Sequence, residues 1–143
     1  TFSIKYMTRD IENTLKNKQV NPTAMRLLVL DFLTKQTAAI SLNDLEKGMA
    51  PSDRITLYRT LKTFEEKGLV HSIEDGTGAT KYALCEQDCD GENHHDLHVH
   101  FYCNTCKETF CLPNTRIPEM SLPNGFKQQE MNLIVKGICQ HCG

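Results

Sequence analysis

No run of eighteen apolar residues and no signal-peptide pattern occurs in the 143 residues of this chain. A spanning helix needs about that length, and a secretory leader needs an apolar core with a cleavage site. A soluble, cytoplasmic protein is therefore expected. In that compartment paired cysteines point to metal or redox chemistry rather than to a disulfide framework. An excess of positive charge is also missing: the net charge is −2, which argues against a constitutive nucleic-acid binder. There is no low-complexity tract and no internal repeat apart from two similar cysteine pairs. No Glu stands in a His-x-Glu or His-Glu-x-x-His arrangement. The general base that zinc hydrolases and deaminases set beside their metal thus has no obvious candidate.

The charge that is present is divided unevenly. Residues 1–84 carry +2 and residues 85–143 carry −4. An acidic, ligand-rich half suits divalent cations, and the more basic half suits phosphate once bound metal has lowered its neighbour's acidity.

Cysteine and histidine are what the chain has in quantity. There are seven and six of them, and ten of these thirteen lie strictly between Cys85 and Cys142. Cys103-Asn-Thr-Cys106 and Cys139-Gln-His-Cys142 are two Cys-x2-Cys knuckles with thirty-two residues between them. Each knuckle can place two thiolates on one tetrahedral zinc with little strain, which favours a structural Zn2+ over a pair of redox dithiols. One structural site does not use so many donors, so a second metal site is expected. His98 and His100 alternate just upstream of the first knuckle, and on a strand that spacing puts both imidazoles on one side. His94, His95 and Asp96 read as a solvated turn. Cys111 reads as a packed thiol or a substitute ligand, and Cys89 as a flexible thiol near a domain boundary.

Hydrophobic patterning supplies the framework. A first helix is expected over 9–18 behind Thr8, and a second after Asn21-Pro22-Thr23, with Met25, Leu28, Val29 and Phe32 on its buried face. Ser41-Leu-Asn-Asp44 has capping-box spacing and opens a short helix to Met49. Pro51-Ser52 opens another that runs to Lys67 and stops at Gly68, burying Leu57, Leu61 and Phe64. Arg54, Tyr58 and Lys62 fall on a different face of that helix, with Thr56 and Arg59 beside them. An aromatic among cations suits a thymine methyl flanked by phosphates. Strands are expected at 69–73 and 80–84 around the turn 74–79, and again at 99–103, 108–112 and 131–138. Three prolines in 113–125 keep any helix there short. Helices followed by a hairpin are the order of a winged helix-turn-helix with 52–67 as the reading helix.

These pieces in this order resemble the ferric uptake regulator family of metal-sensing bacterial transcription factors. The resemblance rests on Asp53-Arg-Ile-Thr-Leu-Tyr-Arg-Thr-Leu61, on Lys67-Gly-Leu-Val70, on His98-x-His100 and on the two knuckles, and it covers about residues 8–142. It implies an α+β fold: a winged-helix DNA-binding domain over 1–85, a hinge at 86–93, and a small dimerisation domain over 94–143 with structural zinc on Cys103, Cys106, Cys139 and Cys142. It further implies a homodimer on a pseudo-palindromic double-stranded DNA operator. Tyr58 and Arg59 match the family's DNA-contacting pair, and Arg26 matches a phosphate contact. Members similar to zinc-uptake regulators complete their sensing site with residues that correspond here to His71 and Cys85. The set His71, Cys85, His98 and His100 implies a regulatory zinc, since thiolate selects against hard, octahedral metals. Ala39 and Ala83 stand where iron- and peroxide-sensing members carry His and Glu, and Cys111 stands where a Glu is common. The expected function is a metal-responsive repressor of metal-uptake genes, not an enzyme. Sensing of iron or another divalent metal, a zinc hydrolase, and a zinc-stabilised module that binds protein stay open as alternatives.

Overall fold

A computed structural model of the chain describes residues 2–84, 98–116, 118, 120–129 and 131–143. The first helix, α1 (Phe2–Asn17), runs straight through Thr8, which therefore does not start it. It ends where Gln19 enters the left-handed region (φ 60) and the Val20 N–H closes back on the Leu15 carbonyl at 2.8 Å, a wrap that satisfies the last carbonyls. Helix α2 (Ala24–Thr34) is capped by Thr23, whose hydroxyl accepts from the Arg26 N–H at 3.3 Å. Its buried face is Val29, Leu30 and Leu33, while Leu28 is 56% exposed. Of the expected face, Val29 is buried and Met25 and Phe32 pack partly buried against the core, so Leu28 is the one misassigned position. Apolar residues fill all of Ala24–Leu33 except Arg26 and Asp31, and periodicity alone does not fix the edges of the buried side.

Helix α3 (Leu42–Gly48) begins with the complete capping box, Ser41 and Asp44 each accepting from the other's backbone N–H. Helix α4 (Arg54–Glu66) starts two residues later than its Pro51-Ser52 signal. Asp53 is the cap, accepting from the Thr56 N–H at 3.1 Å. Leu57, Leu61 and Phe64 are buried on its inner face. Together with Leu15, Val29, Leu30, Leu33, Leu45 and Val70 they form one apolar cluster, each side chain contributing about 1.5–3 kcal/mol by leaving water.

Strands β2 (Val70–Ile73) and β3 (Lys81–Leu84) form the wing hairpin. The short strand β1 (Ile40–Ser41) joins β3, giving the antiparallel order β1-β3-β2. A second three-stranded sheet has the order β5-β4-β6. Its centre is β4 (His98–Cys103), with β5 (Thr109–Arg116) antiparallel on one side and β6 (Ile134–Gly137) parallel on the other. Strand β5 continues through Pro113, past the expected end at Leu112. An edge strand tolerates the missing N–H. Pairing slips between His98 and Val99, so the period-two argument for His98 and His100 does not carry across that step. The segment 86–93, expected as a hinge, lies outside the described residues.

The architecture is α+β, a winged helix-turn-helix followed by a small sheet. The two parts meet along β5: the Ala39 N–H donates to the Thr109 carbonyl at 2.8 Å, and the Thr109 hydroxyl donates to Asp75 at 2.6 Å.

Candidate metal centres and nucleic-acid face

Parallel pairing of β4 with β6 sets Cys103 opposite Gly137. Both knuckles therefore emerge at the same end of the sheet, and the Asn104 N–H fastens the first to the Gly137 carbonyl at 2.7 Å. Cys103, Cys106, Cys139 and Cys142 converge there, with their sulfurs within 4.8 Å of one another. The Cys106 and Cys139 sulfurs are 3.9 Å apart, close to the edge of about 3.8 Å of a zinc–thiolate tetrahedron with Zn–S near 2.3 Å. The Cys103 sulfur accepts backbone N–H groups from Cys106 and Cys139, each at 3.4 Å. Those donors, Cys106 first, outweigh the desolvation of burial and bring the Cys103 thiol down to about 6. Cys142 moves the other way, pushed up by the Cys139 thiol, by burial and by its other sulfur neighbours. Thiolates crowded in this way are stabilised together by a cation. The donor chemistry and spacing fit a structural metal.

A second group of donors lies at the seam between the two sheets. His71 of β2, His100 of β4 and Cys111 of β5 bring their ligand atoms within 4.8 Å of one another. The His71 Nε2 is 3.1 Å from the Cys111 sulfur, and the two imidazoles lie 5.4 Å apart between centroids. His71 and His100 are buried, and Cys111 is half-buried. A cleft of about 400 Å3 opens beside Cys111, and Ala39 and Ala83, which offer no donor atoms, form part of its wall. Two imidazoles and a thiolate fit a borderline-soft, tetrahedral metal. Of the sensing residues expected from sequence, the structure brings His71 and His100 together. Cys85 and the side chain of His98 lie outside the described residues, as do Cys89, His94 and His95. Cys111 entered the sequence argument only as a packed thiol or stand-in. The pairing that carries it to His71, between residues forty apart, leaves no periodic signal in the chain.

The outer face of α4 holds the expected nucleic-acid residues. Tyr58 is 43% exposed, and Thr56 and Arg59 are exposed beside it. Ile55, not singled out from sequence, is more exposed still at 59% and adds an apolar surface suited to a base methyl. Several polar partners are already engaged within the chain. Arg54 bonds Asn43 and Glu46 of α3, both at 2.6 Å, and the Thr56 hydroxyl bonds Asp53 at 3.0 Å. Lys62 pairs with Glu65 at 3.4 Å, and Arg26 donates to the Asn21 carbonyl at 2.9 Å. Exposed pairs of this kind contribute little and exchange readily for phosphate. Lys81 of the wing is different: only 12% exposed, it is tied to buried Asp75 at 2.9 Å, which removes it as a contact to nucleic acid in this arrangement.

The description of the ferric uptake regulator family matches residues 17–136. The chain belongs to the ferric uptake regulator family. Members of that family are metal-responsive transcriptional regulators, and this chain is one of them rather than an enzyme. It is 30% identical over 138 residues to the ferric uptake regulation protein of Neisseria meningitidis, covering 90% of each chain. To the peroxide operon regulator of Bacillus subtilis it is 28% identical over 137 residues, covering 90% of this chain and 88% of that one. Among solved structures it is similar to a zinc uptake regulator complexed with zinc and DNA, at a TM-score of 0.66 and 21% identity, with 96% and 93% of the two chains covered. The likeness to that structure establishes the shared fold. Identity to relatives named for iron and for peroxide differs by two percentage points, so overall similarity does not sort this regulator by metal. Among the described residues no helix is long and apolar enough to cross a membrane.

Proposed function

We propose that this family member is a cytoplasmic, zinc-responsive repressor of metal-uptake genes, acting as a homodimer on a pseudo-palindromic operator. The observation that carries the reading is the convergence of His71, His100 and Cys111 across the seam between the wing hairpin and the C-terminal sheet. The proposed sensing site uses these three with a fourth donor from Cys85 or His98. Cys103, Cys106, Cys139 and Cys142 hold the structural zinc. The donor set supports zinc, because imidazole and thiolate are softer than the carboxylates favoured by hard cations. The similar fold of a zinc uptake regulator complexed with zinc and DNA agrees with this reading.

The mechanism follows from where the donors sit. His71 belongs to the DNA-binding part, taken as 1–85, and His100 and Cys111 to the dimerisation part, taken as 94–143. His71, His100 and Cys111 would hold the metal between them, and the ion would supply a tie shared by the two parts. A site complete in only one interdomain arrangement shifts the population toward that arrangement by its differential affinity. In the closed dimer two copies of α4 present Tyr58 and Arg59 to successive major grooves, since operator symmetry mirrors protein symmetry. Arg26, Arg54, Thr56 and Lys62 flank them toward the phosphates.

The ferric relative at 30% identity favours a second reading, an iron response through the same site. Metal content per chain, measured together with operator binding as free zinc, ferrous iron or manganese is raised, separates the two. Two zincs per chain, with DNA binding that saturates as the weaker site fills, are expected. DNA binding that answers to ferrous iron and not to zinc would move the chain to the iron class. No DNA binding with any metal would overturn the regulator mechanism.

A further inference from the structure

Asp75 lies just beyond β2 in the wing turn and is 1% exposed, yet it is neither a metal donor nor part of the α4 face. Its two oxygens are fully used. Oδ1 accepts from the backbone and hydroxyl of Thr77, and Oδ2 accepts from Lys81 at 2.9 Å and from the Thr109 hydroxyl at 2.6 Å. Three of those bonds stay within the hairpin. The fourth leaves it and grips β5. Thr109 is itself completely buried, and its carbonyl is held by Ala39.

Thr109 and Cys111 are two residues apart on one strand, a spacing that places them on the same side about 7 Å apart. On the facing hairpin, His71 and Asp75 are four residues apart. Asp75–Thr109 and His71–Cys111 are therefore neighbouring ties across one seam. Metal donor sets hold their distances to within about 0.2 Å, so a shift of β5 against the hairpin carries Cys111 out of register with His71.

We propose that Asp75 and Thr109 are positioning residues of the sensing site, fixing β5 against the wing so that His71, His100 and Cys111 meet at ligand distance. The proposal rests on the reading above that these three donors hold a metal. It makes the sensor's affinity depend on a carboxylate that never touches the ion.

The test uses the full chain with its four-thiolate site filled with zinc and cobalt(II) titrated into the second site. Thiolate-to-cobalt absorption and chelator competition report on binding. Thr109→Val and Asp75→Asn are each expected to weaken cobalt binding about tenfold, in the range seen when partners behind metal ligands are removed. Thr109→Ser, which keeps the hydroxyl, is expected to bind as wild type does, and the Asp75→Asn/Thr109→Val double variant to bind no more weakly than either single one. Retained zinc in the four-thiolate site and a single cooperative unfolding transition, lowered by no more than the lost hydrogen bond accounts for, distinguish positioning from misfolding. If Asp75→Asn does not fold, the Thr109→Val and Thr109→Ser pair decides alone. Unchanged cobalt affinity in folded Thr109→Val overturns the positioning role and leaves the metal site standing. A wild-type chain that takes up no second metal overturns the sensing site and the positioning role together.

Discussion

The His71 Nε2 stands 3.1 Å from the Cys111 sulfur, although the two residues belong to different sheets and are forty positions apart. Metal binding at the proposed sensing site would thus depend on the pairing of β5 as much as on the histidines. Cys111→Ala is expected to lower the affinity of the second metal site more than a hundredfold, beyond the roughly 10–100-fold that outer partners supply. Chelator competition on the zinc-loaded chain measures it. An affinity equal to wild type would remove Cys111 from the ligand set.

Cys139→Ser removes a buried sulfur donor from the knuckle cluster. Structural zinc supplies on the order of 10 kcal/mol or more of folding free energy in small domains. The variant is expected to lose its tight metal and the cooperative unfolding of the β5-β4-β6 sheet, read by metal content and calorimetry. Retention of one tight zinc with normal unfolding would exclude a four-thiolate site.

On α4, the proposed reading helix, contact and support are expected to separate. Tyr58→Ala and Arg59→Ala are each expected to weaken operator binding about tenfold or more while leaving the dimer intact, with Arg59→Ala lowering the salt slope of the remaining affinity by about one. Arg54→Ala, whose guanidinium is tied to Asn43 and Glu46, is expected to cost under about 1 kcal/mol of stability and to leave base preference unchanged. Gel-shift titrations against mismatched operators make the comparison. A changed base preference in Arg54→Ala would reassign that residue as a reader.

Asp75 gives the acid response a sign. Burial pushes its carboxyl up, but the bonds from Thr109, Thr77 and Lys81 together hold it well below the usual carboxylate range. A depressed value means that the unfolded state takes up protons first as pH falls, so the contribution is complete above the unfolded value of about 3.9 and is lost on descending through the folded one. Asp75→Asn should therefore cost about 1–3 kcal/mol at every pH from 8 down to about 5, and the gap to wild type should close only below about 4. Denaturant unfolding at stepped pH measures this. A gap that closes near pH 6 would point to histidine instead.

Local chemistry was legible in the chain, and long-range pairing was not. Ser41 and Asp44 announce α3 because a capping box is complete within four residues. Leu57, Leu61 and Phe64 mark the buried side of α4 because polar residues separate them. The same method misplaced Leu28 on α2, where only Arg26 and Asp31 break the apolar run, and the start of α1, which lies before Thr8. Strand β1 escaped notice because two residues carry no alternation, and it exists through its pairing with Tyr82 and Lys81. The knuckles could be read directly because each is local. Cys111 joins the histidines only after β4 and β5 have paired, and Asp75 looks like an ordinary turn aspartate until Thr109 is placed above it.

The parallel alignment of β4 and β6 has a polymer consequence. A cation held by Cys106 and Cys139 would tie together positions thirty-three apart and turn the intervening segment into a closed ring. Closing a ring of that size restricts the unfolded chain by about 4 kcal/mol in the cross-link model used for disulfides. The knot would be one that a chelator can untie and a reductant cannot, so this small sheet would keep its cross-link in surroundings where a sulfur–sulfur bond would be lost.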